Sequence, residues 1–401
     1  MKYLILIGDG MADRPLKELG NKTPLMAART PNMDALAQHG ELGRVRTIPQ
    51  GLPKGSEIAN LSIFGYDPKR YYTGRGPLEA ASIGVKLGPE ECAFRLNLVS
   101  LEAFGGSVIM HDYSAGHIST EEGSEIIRDL DKELGNSIFR FYPGVSYRHL
   151  LVWKGKGEQI QTTPPHDITE QEIGPYLPAG DGDQELIKLM TEAQILLHTH
   201  PINKKRREQG KREANATWPW GQGRAPKLPS FTERFGLTGS VISAVDLIKG
   251  IGIYAGLQIV TVPGATGYLD TNYQGKAEYG LKALDKDDFI YLHVEAPDEA
   301  SHNGDLDAKI AAIEAFDEKV VGTICKGMAK KGDHRILLLP DHPTPLALKT
   351  HTDDPVPFVI YDSTQKRPSG KGGFNEVAAA ESGIMIDKGY ELIERLVRGK
   401  P

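Results

Sequence analysis

The chain has 401 residues, of which 39% are hydrophobic and 25% are charged, and its formal net charge at pH 7 is −6. This length predicts a large core shared between two domains, and the negative charge argues against general nucleic-acid binding. Cys92 and Cys325 are too far apart in the chain to suggest a disulfide framework, so we expect a reducing, cytoplasmic location. The apolar run near the N-terminus is only five residues long, which is too short for a signal peptide or a membrane span.

Four apolar runs, each followed by a turn with acidic or histidine residues, predict buried strands of a parallel sheet covered by helices. They lie at residues 3–10, 257–264, 289–298 and 335–342. Helical patterns at 241–251 and 306–328 alternate with them, as in an α/β domain. The stretch 77–235 has shorter alternating runs, many prolines and a basic segment at 204–213. We therefore predict an α/β domain at 1–76 and 236–401, interrupted by a smaller inserted α+β domain.

Acids and histidines follow the predicted strands, where ligand sites form in α/β folds. They are Asp9, Asp298, His302, Asp341, His342 and His351. Asp298 and His302 are four residues apart, so one helical turn would place both on the same face. Taken singly, each residue also fits an ordinary turn, a helix cap or a solvated surface. Their joint placement at three strand ends predicts a site for two divalent cations such as manganese or zinc, which could clamp a phosphoryl group.

Ser56 lies in a Gly- and Pro-rich loop, just before an apolar, helix-like run. A serine at a helix start lies beside unpaired backbone N–H groups, which favours both an N-cap and a site for phosphate. The two interpretations are compatible, because a capping serine could also act as a nucleophile beside a metal ion.

Eleven motifs follow one another from residue 7 to about residue 360. They are IGDGMADRP, TPLMAARTPNMDALA, KGSEIANLSIFGYDP, HDYSAGHIS, YPGVSYRHLLVW, WPWGQGRAPKLPSF, VISAVDLIKGIG, PGATGYLDTNY, HVEAPDEASHNGD, LPDHPTP and THTDDPVPF. In this order they resemble the cofactor-independent phosphoglycerate mutases of the type found in archaea and some bacteria, within the alkaline phosphatase superfamily.

The resemblance implies an alkaline-phosphatase-like, mostly parallel sheet sandwiched by helices. It also implies a glycolytic isomerase that interconverts 3-phosphoglycerate and 2-phosphoglycerate without 2,3-bisphosphoglycerate. Two divalent ions are implied, with manganese as our first choice and zinc, cobalt or magnesium as alternatives. One ion would be held by Asp9, Ser56, Asp341 and His342, and the other by Asp298, His302 and His351.

Within this resemblance, Ser56 would be the nucleophile and would carry the phosphoryl group as phosphoserine. The inserted domain would close the site, retain glycerate and exclude water. The remaining candidates are His111 and Asp112 as proton carriers, and Arg148, Arg206 and Lys249 as ligands of the anionic substrate. A solvated basic loop would equally explain most of the run around Arg206, and hydrogen bonds within a turn would explain His111 and Asp112.

Other functions remain open on the same residues. A metal-dependent phosphatase or another phosphomutase could use the same scaffold, because fold and metals do not fix the acceptor. A non-catalytic binding protein is disfavoured by the complete ligand set, and we find no P-loop or Gly-rich nucleotide loop. The expected partner is a small phosphoglycerate, with no nucleic acid and no membrane, and an oligomer is possible.

Overall fold

The computed structural model describes residues 1–155, 157–365 and 372–399. The chain divides into two compact units, Met1–Tyr72 with Lys227–Pro401 as the first and Thr73–Pro226 as the second. The second unit starts and ends somewhat earlier than the inserted segment expected from the sequence. Thirteen strands lie within the described residues: β1 Lys2–Gly8, β2 Glu41–Val45, β3 Glu91–Phe104, β4 Ser107–Asp112, β5 Phe139–Val145, β6 Arg148–Lys154, β7 Ala216–Gly223, β8 Gly239–Ile242, β9 Gln258–Ile259, β10 Phe289–Val294, β11 His334–Leu339, β12 Val356–Asp362 and β13 Met385–Ile386.

The first unit is built on an eight-stranded sheet in the order β13-β2-β12-β11-β1-β10-β8-β9. Strand pairs are parallel from β11 through β1, β10 and β8 to β9, and also between β13 and β2. Only β12 runs against its two neighbours. The predicted α/β fold with a mostly parallel sheet is therefore confirmed.

Both faces of this sheet are covered by other parts of the first unit. Successive side chains of a strand point to opposite faces, so each strand contributes apolar residues to both. One large apolar cluster joins helical residues such as Ile313 and Phe316 to strand residues of one face, which are Leu4, Leu6, Ile290, Leu292, Val294, Ile336 and Leu338. On the opposite face, Tyr291 stacks on Phe64 at 3.9 Å between ring centroids. Burial on both faces explains why these strands read as continuous apolar runs.

Helices surround the sheet of the first unit. Its α-helices within the described residues are Pro24–Ala27, Pro31–His39, Ser56–Ile63, Pro68–Tyr71, Phe231–Phe235, Asp246–Tyr254, Tyr273–Ala283, Ala296–Asn303, Leu306–Ala315, Gly322–Met328, Glu376–Glu381 and Leu392–Arg398. The predicted helical run at 306–328 is confirmed, with a π-helical segment at Phe316–Val321. Two predictions need correction. The start of 241–251 belongs to β8, and only Gln258–Ile259 of 257–264 is a strand, because its partner β8 already ends at Ile242.

The second unit is a five-stranded antiparallel sheet in which β3 pairs with β4, β6 and β7, and β6 also pairs with β5. Its α-helices are Arg75–Ser82, Thr120–Leu134, Asp183–Thr199 and Pro201–Glu208. The helices Thr120–Leu134 and Asp183–Thr199 cover one face with residues such as Ile127 and Leu189. This unit is the α+β unit expected from the sequence. None of the described helices in either unit is both long and apolar enough to span a membrane.

Candidate active site

The residues predicted as metal ligands meet in the first unit, at the carboxyl edge of its parallel strands. They are Asp9, Ser56, Asp298, His302, Asp341, His342 and His351. Asp9 directly follows β1, and Asp341 lies just beyond the end of β11. Asp298 and His302 lie one turn apart on the helix after β10, as the spacing predicts. They converge because neighbouring parallel strands deliver their carboxyl ends to one edge of the sheet.

Ser56 is the first residue of the Ser56–Ile63 helix, and the N-cap is Gly55. No side chain caps this helix, so the prediction that Ser56 is its N-cap is wrong. The hydroxyl instead turns to the acid and histidine cluster, where Ser56 Oγ lies 3.0 Å from His342 Nε2. Since the hydroxyl is not used to cap the helix, it is available for chemistry at the site.

Carboxylates crowd around His342. Its Nε2 lies 3.4 Å from Asp9 Oδ1 and 3.5 Å from Asp341 Oδ2. Asp341 is fixed by three donors: the backbone N–H of Gly10 at 3.2 Å, that of His342 at 2.9 Å, and Asn60 Nδ2 at 2.8 Å. The Asp341 carboxylate is therefore held rigidly, with its oxygens facing the cluster.

Gly10 allows these acids to come together. Its φ is +63°, in the left-handed region, and an added Cβ would lie 2.6 Å from Asp298 Oδ1. A side chain at this position would collide with a predicted ligand. The Gly-Asp-Gly turn after β1 is thus required by the site as well as by the turn.

Asp298 binds two histidines. Asp298 Oδ2 lies 3.2 Å from His302 Nε2, and Asp298 Oδ1 lies 3.4 Å from His351 Nε2. The other ring nitrogen of each histidine meets a backbone carbonyl, that of Lys349 at 3.0 Å for His302 and that of Lys54 at 3.1 Å for His351. A carbonyl only accepts hydrogen bonds, so each Nδ1 carries a proton and each ring directs its Nε2 at Asp298.

Thr344 joins the two parts of the cluster. Its hydroxyl donates to Asp298 Oδ1 at 2.5 Å and lies 3.2 Å from His342 Nδ1. Because that hydroxyl proton is used on Asp298, His342 Nδ1–H donates to Thr344 Oγ1 and leaves Nε2 bare. The orientation of His342 therefore follows from the same rule as that of His302 and His351.

The buried rings are neutral. Burial lowers the pKa of His342 to about 4, and it lowers the pKa of His293, a further histidine of the cluster, to about 4. At neutral pH both imidazoles therefore have a lone pair, which metal coordination requires.

The carboxylates behave differently from one another. Burial would raise the pKa of Asp298, but hydrogen bonds with His302 and His351 outweigh it and hold that pKa well below its ordinary value. The pKa of Asp9 is raised well above its ordinary value by burial and by the nearby carboxylates of Asp341 and Asp298. Such a crowd of buried like charges calls for positive charge among them.

Among the described residues, two groups of three side chains could each hold a cation, with all donor atoms of a group within 4.8 Å of one another. They are Asp298, His342 and His351, and Asp9, His293 and Asp341. The family resemblance instead places His342 on the same cation as Asp9 and Asp341. The distances from His342 Nε2 to those two carboxylates permit either grouping. Oxygen and imidazole donors of this kind fit divalent manganese, zinc or cobalt.

Sequence reasoning missed three polar residues of this site: His293, Asn60 as a ligand-holding residue, and Thr344. His293 could have been noticed as the one strongly polar residue inside the apolar run of β10. Asn60 and Thr344 lie in quoted motifs, but nothing local marks them as partners of Asp341 or Asp298.

The remaining candidate of the first unit is Lys249, which lies on the Asp246–Tyr254 helix. Its Nζ forms an ion pair with Asp246 at 3.2 Å. Its charge also helps to lower the pKa of buried Lys276 to about 8, although burial is the main cause.

Two of the candidates of the second unit are held by internal hydrogen bonds. Asp112 accepts from the backbone and hydroxyl of Ser114, from Gly116 N and from Arg212 Nη1, all at 2.6–3.0 Å. Burial would raise its pKa, but these bonds outweigh burial and lower it. Arg206 is 2% exposed and donates to the carbonyls of Arg212 and Ala115 and to Glu122. Both side chains are committed to the fold of this unit.

The other two candidates of the second unit have reachable side chains. Arg148 is exposed at the start of β6, with its guanidinium 5.7 Å from the ring centroid of Tyr147. His111 is partly exposed, and its Nδ1 lies 3.4 Å from a carboxylate oxygen of Glu102 and of Glu170.

A serine beside buried carboxylates and neutral imidazoles, at the carboxyl edge of a parallel sheet, is an arrangement suited to metal-assisted phosphoryl transfer. Residues 37–203 match the family described as 2,3-bisphosphoglycerate-independent phosphoglycerate mutase. A mutase with this name from Methanosarcina barkeri is 52% identical, over 100% of both chains, and one from Methanosarcina acetivorans is 51% identical, over 99% of this chain and 100% of its own. The chain belongs to the 2,3-bisphosphoglycerate-independent phosphoglycerate mutase family, which confirms the resemblance drawn from its motifs and the expectation of an isomerase.

Solved structures agree with this assignment. A protein from Pyrococcus horikoshii has 31% identity and a TM-score of 0.83, with 100% of this chain and 98% of that chain covered. The cofactor-independent phosphoglycerate mutase from Thermoplasma acidophilum has 27% identity and a TM-score of 0.68, with 99% of each chain covered. The similarity thus extends over both units.

Proposed function

We propose that this enzyme interconverts 3-phosphoglycerate and 2-phosphoglycerate through a phosphoserine at Ser56, without added 2,3-bisphosphoglycerate. The observation that carries the proposal is the position of Ser56 Oγ, 3.0 Å from His342 Nε2 and inside a cluster of buried acids and histidines. The names of the Methanosarcina relatives support the same reaction.

We assign two divalent cations to the site, with manganese as first choice and zinc, cobalt or magnesium as alternatives. The residues that would hold them are Asp9, Ser56, Asp341 and His342 for one, and Asp298, His302 and His351 for the other. When bound, the cations would lower the pKa of the Ser56 hydroxyl and neutralise charge on the phosphoryl group. The Nε2 atoms of the three histidines, each of which faces a carboxylate, support this assignment.

The transfer is balanced without a co-substrate. Ser56 Oγ loses its proton and bonds to phosphorus while the bond to O3 of the substrate breaks, and O3 takes up a proton. O2 of the same glycerate then loses its proton and attacks the phosphoserine, and Ser56 Oγ leaves and is protonated again. A phosphatase would differ only in using water for the second attack, so glycerate must stay bound and water must be kept out.

The second unit would supply groups for the substrate. Arg148 is suited to the glycerate carboxylate, because its guanidinium has no hydrogen-bond or ion-pair partner among the described residues and can bind a carboxylate with two donors. His111 is suited to carrying a proton between the substrate hydroxyls, since it is partly exposed. In the first unit, Lys249 could contact the transferring phosphoryl group.

Two predicted residues receive structural roles in this proposal. Arg206 is buried and fully engaged, so it would stabilise the second unit. Asp112, with its low pKa and four hydrogen bonds, would order the turn after β4 and is a poor proton carrier. Their substitution should lower stability before it changes substrate affinity.

The two cysteines bear on where the protein is located in the cell. Cys92 and Cys325 are both free, which supports a reducing, cytoplasmic location.

The test is an assay for conversion of 3-phosphoglycerate with a panel of metals and without 2,3-bisphosphoglycerate. Ser56→Ala should abolish conversion, while Ser62→Ala, which removes a buried hydroxyl from the same helix, should retain it. Steady release of inorganic phosphate without 2-phosphoglycerate would favour a phosphatase. Normal conversion by Ser56→Ala would refute the phosphoserine.

A further inference from the structure

His293 is a fully buried histidine that the proposed reaction does not use. It lies in β10, whose other residues are apolar or aromatic. In the parallel register of β1 and β10, His293 is opposite Ile7, two residues before Asp9. This register brings its ring to the carboxyl edge of the sheet, beside the acids.

The ring nitrogen that faces the acids has no hydrogen bond. His293 Nε2 lies 3.1 Å from Asp9 Oδ2, but the pair does not have hydrogen-bond geometry, and Nε2 has no partner among the described residues. Asp9 Oδ1 is buried and likewise has no hydrogen-bond partner there. Buried polar atoms normally have a partner, so two such atoms on side chains that lie side by side indicate a shared ligand.

The spacing of the donor atoms fits a cation. Metal–nitrogen and metal–oxygen bonds of about 2.0–2.2 Å place neighbouring ligand atoms roughly 3.0–3.5 Å apart, and the distance from His293 to Asp9 lies in this range at 3.1 Å. Donor atoms of His293, Asp9 and Asp341 all lie within 4.8 Å of one another. The three side chains can therefore bind one ion together.

The far side of the ring has a partner of its own. His293 Nδ1 lies 3.4 Å from Ser243 Oγ, and that oxygen accepts the backbone N–H of Val245 at 3.0 Å. If Nδ1–H donates to this fixed hydroxyl, the neutral ring has a bare Nε2 facing Asp9. Outer partners of this kind commonly orient metal-binding histidines.

We propose that His293 is a further ligand of the cation held by Asp9 and Asp341, in addition to the seven residues assigned above. This inference rests on the metal centre of the proposed function. It raises the number of histidines that bind metal from three to four.

Cobalt-loaded protein provides the test, because each coordinated histidine with a protonated Nδ1 gives one exchangeable, hyperfine-shifted N–H resonance in the proton NMR spectrum. We expect four such resonances in the wild type, from His293, His302, His342 and His351. His293→Gln should lose one of them and bind one of two metal equivalents at least tenfold more weakly. The control is His334→Gln, which changes a buried histidine whose Nδ1 meets the carbonyl of Gly332, and it should keep all four resonances.

Three resonances in the cobalt-loaded wild type would overturn this inference and leave the proposed function intact, whether or not His293→Gln folds. Weaker metal binding by His293→Gln with an unchanged set of resonances would also overturn it, because His293 would then only position Asp9. Failure of the wild type to bind cobalt, manganese or zinc would refute the metal centre itself, and this inference with it.

Discussion

Asn60 connects the nucleophile, a ligand carboxylate and the sheet. It is fully buried, and its Nδ2 donates to Ser56 O and to Asp341 Oδ2, each at 2.8 Å, while its Oδ1 accepts from the Tyr291 hydroxyl. Asn60→Leu keeps the approximate size and removes all three bonds. The Tyr291 hydroxyl and one Asp341 oxygen would then lack these buried partners. At about 1–3 kcal/mol for each unsatisfied group, we expect the free energy of unfolding of the first unit to fall by about 2–6 kcal/mol.

A double-mutant cycle with Tyr291→Phe separates the hydrogen bond from simple loss of packing. Once Asn60 is leucine, the Tyr291 hydroxyl is buried without its acceptor, so its removal should be neutral or stabilising. In the wild type, the same removal leaves Asn60 Oδ1 without its donor and should destabilise. We expect the double variant to be more stable than the sum of the single changes by about 1 kcal/mol.

The assay must report on the first unit. All three tryptophans, Trp153, Trp218 and Trp220, lie in the second unit, so their fluorescence would miss the change. Hydrogen exchange of peptides from β1, β10 and β11, followed by mass spectrometry, measures the local opening free energy. Ser62→Ala serves as the control, since the Ser62 hydroxyl has no hydrogen-bond partner among the described residues. Unchanged exchange in Asn60→Leu, or strictly additive effects in the cycle, would refute this account of the site.

Three further predictions follow from buried groups away from the serine. Burial raises the pKa of the Cys92 thiol to about 12 and that of the Cys325 thiol to about 11. Both thiols should therefore react with a disulfide reagent at pH 8 far more slowly in the native protein than in urea. Equal reaction rates in the two conditions would contradict this prediction. Burial lowers the pKa of His149 to about 3, so the unfolded state takes up a proton first as the pH falls. The free energy of unfolding of the second unit should therefore decrease between about pH 6.5 and pH 3. Tryptophan fluorescence in urea measures this free energy, and His149→Gln should make it depend less steeply on pH. Lys309 and Asp13 form a fully buried ion pair at 2.8 Å. Lys309→Met should lower the free energy of unfolding, measured by hydrogen exchange, by about 3–5 kcal/mol, because it leaves a buried carboxylate unpaired. Combining Lys309→Met with Asp13→Asn should lower it by less than the single change does.

Much of the first unit could be predicted because its signals are local. Buried parallel strands appear as continuous apolar runs, and the acids at their ends stand out against that background. The four-residue spacing of Asp298 and His302 predicts a shared helix face, and both lie on the Ala296–Asn303 helix. Such patterns survive in the sequence because each depends on residues within one element.

Other features depend on contacts between distant segments. His293 looks like an ordinary strand residue until the register of β1 and β10 places it beside Asp9. Arg206 belongs to a basic run that reads as a solvated surface, yet it is buried among carbonyls and Glu122. No local pattern carries this information, because burial and partner choice are properties of the packed chain.

By itself, the sequence determined the α/β class, the family and the residue types at the site, since strand periodicity and ordered motifs are written into the chain. The tertiary structure alone decided how those residues are used. It turned the Ser56 hydroxyl away from the helix cap, gave His302 and His351 backbone carbonyl partners that direct Nε2 at Asp298, and joined Asp298 to His342 through Thr344. These outcomes depend on which polar atoms meet in a buried space, where most donors and acceptors are paired with one another.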